Sequence, residues 1–359
     1  MFKSIVVSGI TSVLVIVVAL VGIDTIVNIK KDDVKDTKYI SYESNNGKKV
    51  EFINEENSSV VSTSCVVGIA VKQNSGNKIA QILDNSWSVG SGCILDSKGY
   101  IITNYHVIGN SIDDIYVTLY GGEVIKGRTV WSNKILDLAI IKIDVAGLPV
   151  GVMGDSDSLR IGEKAIAIGN PLGFEFQGTL TSGVISGLNR SIEVDGNYME
   201  DLIQTDASIN SGNSGGPLMN GKGEVIGINT VKVASAEGMG FAIPINQVKP
   251  IIDKIKENGE FVEPYFGVLG YDRAITSSFG SNIIIDTGVY VYSVDRGSPA
   301  DDAGIKKGDI VLSVDDLDID TLCKLRSILF SKNIGEKMRV KILRDGETQD
   351  LIVDVRNKK

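Results

Sequence analysis

The chain has a single histidine, His106, in 359 residues, with three cysteines and seven prolines. One imidazole excludes every site built from two or three histidines, and with them most zinc hydrolase chemistry. Cys65, Cys93 and Cys323 are odd in number, far apart and set in apolar runs. They form no CxxC metal or redox pair and read as small core residues. Excess positive charge is missing too. A net charge of −9, with no Lys/Arg stripe interleaved with aromatics, argues against a nucleic-acid partner. No internal repeat is visible. What remains is 43% apolar and 23% charged residues with 40 glycines, a composition of many turns and short strands. The length exceeds one ordinary core and predicts two folded domains.

Residues 1–4 are a short tail. Residues 5–23 are nineteen uncharged residues interrupted only by Ser8, Thr11 and Ser12. As a helix they would extend about 28 Å, enough to cross a hydrocarbon core. A cleaved signal peptide would carry a shorter apolar region and a small-x-small site, which Ala19-Leu20-Val21 fits poorly, so an uncleaved anchor is expected. Lysines on both sides, mixed with aspartates, leave its orientation open. Residues 24–59 are polar and read as a linker. From 60 to 245, short apolar runs alternate with Gly, Asn and Asp turns. Strands are expected near 66–71, 92–95, 100–103, 115–119, 138–143, 164–168, 183–188, 225–230 and 240–243, the pattern of barrels or sandwiches. Residues 247–258 carry apolar positions at 248, 251, 252 and 255, one helix face, before Gly259; with the stretch to 263 they form a connector. Residues 264–355 read as a separate small β-rich domain, with strands at 288–294, 309–314 and 337–344 and a helix at 321–330.

A serine hydroxyl needs a general base, a carboxylate to orient that base and donors for the oxyanion before it can cleave an amide. Each has one candidate. Ser214 sits in Asn210-Ser211-Gly212-Asn213-Ser214-Gly215-Gly216-Pro217, where glycines permit a sharp loop that aims the N–H groups of Gly212 and Ser214 at one point. His106 follows the apolar run at 100–105, and Asp137 opens the strand at 138–143. The order His, Asp, Ser is that of chymotrypsin. Gly212-x-Ser214-x-Gly216 also fits the nucleophile elbow of α/β-hydrolases, but that fold requires a histidine after the serine, and none follows His106.

These residues, with Gly90-Ser91-Gly92-Cys93-Ile94-Leu95-Asp96, Thr103-Asn104-Tyr105-His106, Asp137-Leu138-Ala139, Gly169-Asn170-Pro171, Gln204-Thr205-Asp206-Ala207 and Gly240-Phe241-Ala242-Ile243-Pro244, resemble the HtrA/Deg serine proteases over roughly residues 60–355. The resemblance implies an all-β, chymotrypsin-like protease domain of two six-stranded β-barrels. It also implies cleavage of unfolded or misfolded proteins in quality control, no cofactor or metal, and a homotrimer. By position it assigns His106, Asp137 and Ser214 to catalysis and the N–H groups of Gly212 and Ser214 to the oxyanion hole. A shallow apolar substrate pocket is expected from Ile209, Asn210, Ile228, Asn229 and Thr230. The last domain resembles a PDZ module, with Tyr265-Phe266-Gly267-Val268 in the place of the loop that captures a C-terminal carboxylate. The resemblance favours a single-pass cell-membrane protein, held by its N-terminal helix, with protease and PDZ domains extracytoplasmic. A non-proteolytic chaperone or scaffold, and a regulatory protease with one dedicated membrane partner, stand as alternatives.

Overall fold

A computed structural model of the chain describes residues 63–72, 87–170, 178–194, 197–232, 238–278 and 285–358. The expected anchor at 5–23 and the linker at 24–59 lie outside the described residues. Among those described, no helix is long and apolar enough to cross a membrane.

Twelve strands form two closed barrels. The first contains β1 (Val66–Lys72), β2 (Trp87–Asp96), β3 (Tyr100–Thr103), β4 (Ile115–Thr118), β5 (Val124–Asn133) and β6 (Leu138–Ile143), in the order β1-β2-β3-β6-β5-β4 with β4 returning to β1. The second contains β7 (Lys164–Gly169), β8 (Thr179–Val194), β9 (Asn197–Thr205), β10 (Pro217–Met219), β11 (Val225–Lys232) and β12 (Gly240–Pro244), closed by pairing of β10 with β7. Closure leaves neither sheet with a free edge. β3 and β6 are adjacent, and Ile101, Ile102, Ile140 and Ile141 are all fully buried. Each such side chain contributes about 2 kcal/mol of burial free energy. That packing makes a rigid base for the two loops at the ends of these strands, which carry His106 and Asp137. Cys65 and Cys93, distant in sequence, are both buried in this barrel and touch each other.

The expected strand positions fall within observed strands apart from end residues, but β5, β9 and β10 were not expected. β5 (VIKGRTVWSN) and β9 (NYMEDLIQT) carry charges inside the strand and lack a clean alternation. β10 is three residues long, too short for periodicity to register.

Helix α1 is a single turn, Tyr105–Ile108. Helix α2 spans Ile245–Asn258 and buries Ile245, Val248, Ile251, Ile252 and Ile255 along one face. Gly259 ends it at φ 79°, its N–H bonding Ile255 O at 2.8 Å. Pro250, inside this helix, has no N–H for the carbonyl of Asn246. Ser327 Oγ of the last domain donates to that carbonyl instead, at 3.0 Å. Here a proline in one domain creates an acceptor for the next.

The last domain holds β14 (Val268–Tyr271), β15 (Val289–Val294), β16 (Ile310–Val314), β18 (Lys337–Arg344) and β19 (Glu347–Asp354) in that order. β17 (Leu317–Asp318) pairs with β16, while β13 (Pro264–Tyr265) and β20 (Arg356–Asn357) make a separate two-stranded sheet. Helix α3 (Leu322–Ser331) is capped by Thr321, whose hydroxyl accepts from Lys324 N at 3.1 Å. It packs against α2. An edge-to-face stack of Trp131, Phe261 and Phe330, with ring centroids 5.6 and 5.3 Å apart, continues the contact. Beside it Arg326 Nη2 lies 3.8 Å from Glu200 Oε2. Burial pushes the Glu200 carboxyl up to about 7, while Arg326 pulls it back. Asp201, also buried, is pushed up to about 6.

Candidate active site

Asp137 lies in the tight turn between β5 and β6 with a left-handed backbone, φ 51°, which aspartate tolerates better than most residues. The turn directs the nearly buried carboxylate under α1. Three donors converge on it: His106 N on Oδ1 at 2.9 Å, His106 Nδ1 on Oδ2 at 2.8 Å, and Thr230 Oγ1 on Oδ2 at 2.6 Å. Asn104 Nδ2 adds a bond to the Asp137 carbonyl at 3.0 Å. With Nδ1–H committed to the carboxylate, the imidazole's Nε2 is the nitrogen left with a lone pair, and the His106 side chain is half exposed.

Ser214 follows a compact turn between β9 and β10. The two residues after it must be glycine. A Cβ on Gly215, at φ 83°, would meet Ser91 O at 2.2 Å, and one on Gly216 would meet Ile168 O at the same distance. Among the described residues the Ser214 hydroxyl bonds not to His106 but to Thr230 O at 2.9 Å, with Asn210 O at 3.3 Å. A rotation of its side chain is needed before the proton can pass to the imidazole.

The two expected oxyanion donors do not converge on an open point. Gly212 N donates to Asn210 Oδ1 and Ser214 N to Asn210 O, both at 3.2 Å. An unpaired buried N–H is costly, and the side chain and carbonyl of Asn210 satisfy both. The expected pocket residues also divide. Asn210 is exposed, but Ile209 is packed in the second barrel's core against Gly240, and Ile228 is wholly buried opposite Pro217. Asn229 is likewise buried, and its Nδ2 donates to Pro217 O at 3.0 Å. Thr230 serves Asp137 rather than a pocket. Both faces of β11 are covered here: Ile228, Asn229 and Thr230 are all buried, and the two polar residues are hydrogen-bonded within the protein rather than open to a substrate. Residues 233–237, which follow β11, lie outside the described residues.

In the last domain Tyr265 belongs to β13, and its hydroxyl bonds Asp295 Oδ2. That bond pushes the phenol up to about 12. Phe266 is buried in the domain core. Gly267 takes φ 83°, and Val268 opens β14, which pairs on one side only, with β15. The outer edge of β14 is therefore free among the described residues, next to the Tyr265–Val268 loop.

Sequence comparison agrees with this two-part architecture. A trypsin-like peptidase domain model matches residues 90–228, and a PDZ domain model matches 225–355. The serine protease Do-like HtrB of Bacillus subtilis is 44% identical over 268 residues, 71% of this chain and 58% of that protein. The Do-like HtrA of Lactococcus lactis subsp. cremoris is 40% identical over 296 residues, 77% of this chain and 72% of its own length. The chain thus spans little more than half of HtrB. A solved HtrA-type protease, AlgW with a tripeptide, superposes with a TM-score of 0.63 at 31% identity, covering 83% of this chain and 95% of that one. Two six-stranded barrels with an imidazole–carboxylate pair on one and a glycine-bound serine on the other, followed by a PDZ domain, thus place the chain in the HtrA/Deg family of trypsin-like serine proteases.

Proposed function

We propose that this protein is a serine endopeptidase in which His106 is the general base, Asp137 orients it and Ser214 is the nucleophile. The observation that carries this reading is the convergence on Asp137 of the His106 ring, the His106 backbone and Thr230. That set of bonds fixes one tautomer and leaves Nε2 as the base. Once Ser214 Oγ turns from Thr230 O to the imidazole, it can attack a peptide carbonyl while the proton passes to Nε2. The imidazolium then returns the proton to the leaving amine. The oxyanion is stabilised by Gly212 N–H and Ser214 N–H after they leave Asn210, so the site rests closed and opens when substrate or an activator pulls the turn apart.

Family membership supports unfolded or misfolded proteins as substrates, a homotrimeric assembly and a role in envelope quality control. The apolar run at 5–23 supports a membrane anchor, and family membership supports protease and PDZ domains on the extracytoplasmic side. The Tyr265–Val268 loop, beside the free edge of β14, supports capture of C-terminal peptides as an added strand. The test is cleavage of an unfolded model protein by the wild-type chain and by Ser214→Ala. The expected result is loss of at least about a thousandfold in the variant. Equal cleavage by both would refute Ser214 as the nucleophile, and no cleavage by either would favour a scaffold or chaperone.

A further inference from the structure

A fully buried polar junction outside the three proposed catalytic groups is centred on Ser91, a residue of β2 in the first barrel with no exposed surface. Its hydroxyl donates to Gly212 O at 2.7 Å and accepts from Asn170 N at 2.7 Å. Its backbone N–H donates to Ser214 O at 2.8 Å, and its carbonyl accepts from Thr103 Oγ1 at 2.7 Å. One first-barrel residue therefore grips the nucleophile turn at two carbonyls, on either side of Asn213. It also holds Asn170, just after β7, and Thr103, three residues before His106. Asn170 is itself fixed, its Oδ1 accepting from Gly178 N at 2.6 Å.

We infer that Ser91 is a positioning residue for catalysis, its hydroxyl holding the Gly212 carbonyl so that the nucleophile turn can open without losing its place. The inference rests on the protease reading above. Gly212 N–H and Gly212 C=O belong to different peptide planes, joined only through the φ and ψ of a glycine. A fixed carbonyl lets the N–H swing from Asn210 Oδ1 toward a substrate oxyanion while the rest of the turn stays in register. The second anchor, Ser91 N to Ser214 O, holds the peptide plane after the nucleophile in the same way. Among side chains of this size, only a hydroxyl both donates to one carbonyl and accepts from one N–H. Alanine would leave Gly212 O and Asn170 N without partners in a dry site and free the turn to drift. The effect falls on the transition state, where the oxyanion donors are used, more than on ground-state binding.

The test measures three properties of the full chain in detergent, for the wild type, Ser91→Ala and Ser91→Cys, well below the unfolding temperature. These are kcat and KM on a fluorogenic peptide, the rate of Ser214 modification by a fluorophosphonate, and amide hydrogen exchange of the segment 210–216. Ser91→Ala is expected to lower kcat and the modification rate by about 10- to 100-fold, with KM within about threefold of wild type. Ser91→Cys should fall between the two, since a thiol is a weak donor. Exchange in 210–216 should quicken in the same order. A Ser91→Ala enzyme with wild-type kcat, or with only a raised KM, overturns the inference, as does unchanged exchange. If Ser91→Ala does not fold, Ser91→Cys at wild-type rates overturns it equally. If the wild-type chain neither cleaves nor reacts, the protease reading fails and the inference about Ser91 falls with it, whereas an active wild type with an unaffected Ser91→Ala overturns the inference alone.

Discussion

The two sides of the active site are prepared to different degrees. On the first barrel, Asp137 is locked by three donors, and His106 is held through both its ring and its backbone. On the second, the Ser214 hydroxyl faces Thr230 O, and both oxyanion donors are turned onto Asn210. The proposed general base is therefore preorganised, while the turn that carries the proposed nucleophile is not. Both arrangements follow from which groups can find partners inside the protein. A carboxylate is satisfied by nearby donors at any time. On the proposed mechanism, backbone N–H groups that serve a transient oxyanion need a substitute acceptor between turnovers, and Asn210 supplies it here.

Three experiments break or sharpen this contrast. The largest effect is expected from Asp137→Asn, which preserves shape but offers His106 Nδ1 an amide in place of a charged acceptor. Activity on a peptide substrate should fall by about 10³- to 10⁴-fold, with little change in KM. A loss below about tenfold would mean that the first barrel is not the prepared half. Asn210→Ala removes only the side-chain acceptor of Gly212 N–H. Basal turnover should rise by about 3- to 10-fold, since releasing one hydrogen bond of about 1 kcal/mol favours the open turn. A fall in turnover would assign Asn210 to building the turn rather than to closing it.

The smallest effect lies away from the chemistry, at the contact between α3 and the second barrel. Glu200 is pushed up to about 7 by burial and by Asp272 and Asp201, against the pull of Arg326, and Asp201 is pushed up to about 6. A carboxyl whose folded pKa exceeds its unfolded value near 4.5 binds a proton on folding within that window, so stability falls as pH rises. The penalty is absent below about 4.5 and fully present above about 7. The carboxyls held low, at Asp144, Asp155, Asp315 and Glu336, lose their contribution only under more acid conditions. The midpoint of thermal unfolding should therefore rise by about 3 °C between pH 8 and pH 5.5. Glu200→Gln combined with Asp201→Asn should flatten that slope, and an unchanged slope would place the titration elsewhere.

The single histidine, the order of His106, Asp137 and Ser214, and the glycines around the serine were legible without coordinates, because each is a local requirement of the chemistry. The helix stop at Gly259 was legible because it too is a local signal, whereas Thr321, read as the first helical residue, is the cap that precedes the helix. β5 and β9 were not. Their charged residues face solvent or the PDZ domain, and Glu200 reads as an ordinary surface residue until α3 covers it. The pocket assigned to Ile228, Asn229 and Thr230 also could not be judged in advance. β11 pairs with β10 on one side and β12 on the other and is buried on both faces, and that burial is set by tertiary packing rather than by local pattern.

The sequence by itself determined which atoms are available for chemistry: one imidazole, one serine in a glycine turn, and a carboxylate between them in order. Tertiary structure alone decided how those atoms are held. Thr230 reaches Asp137 across 93 positions and Ser91 reaches Gly212 across 121. Such contacts exist only once both barrels have closed, because hydrogen bonds between distant segments are set by strand register and barrel packing rather than by local pattern.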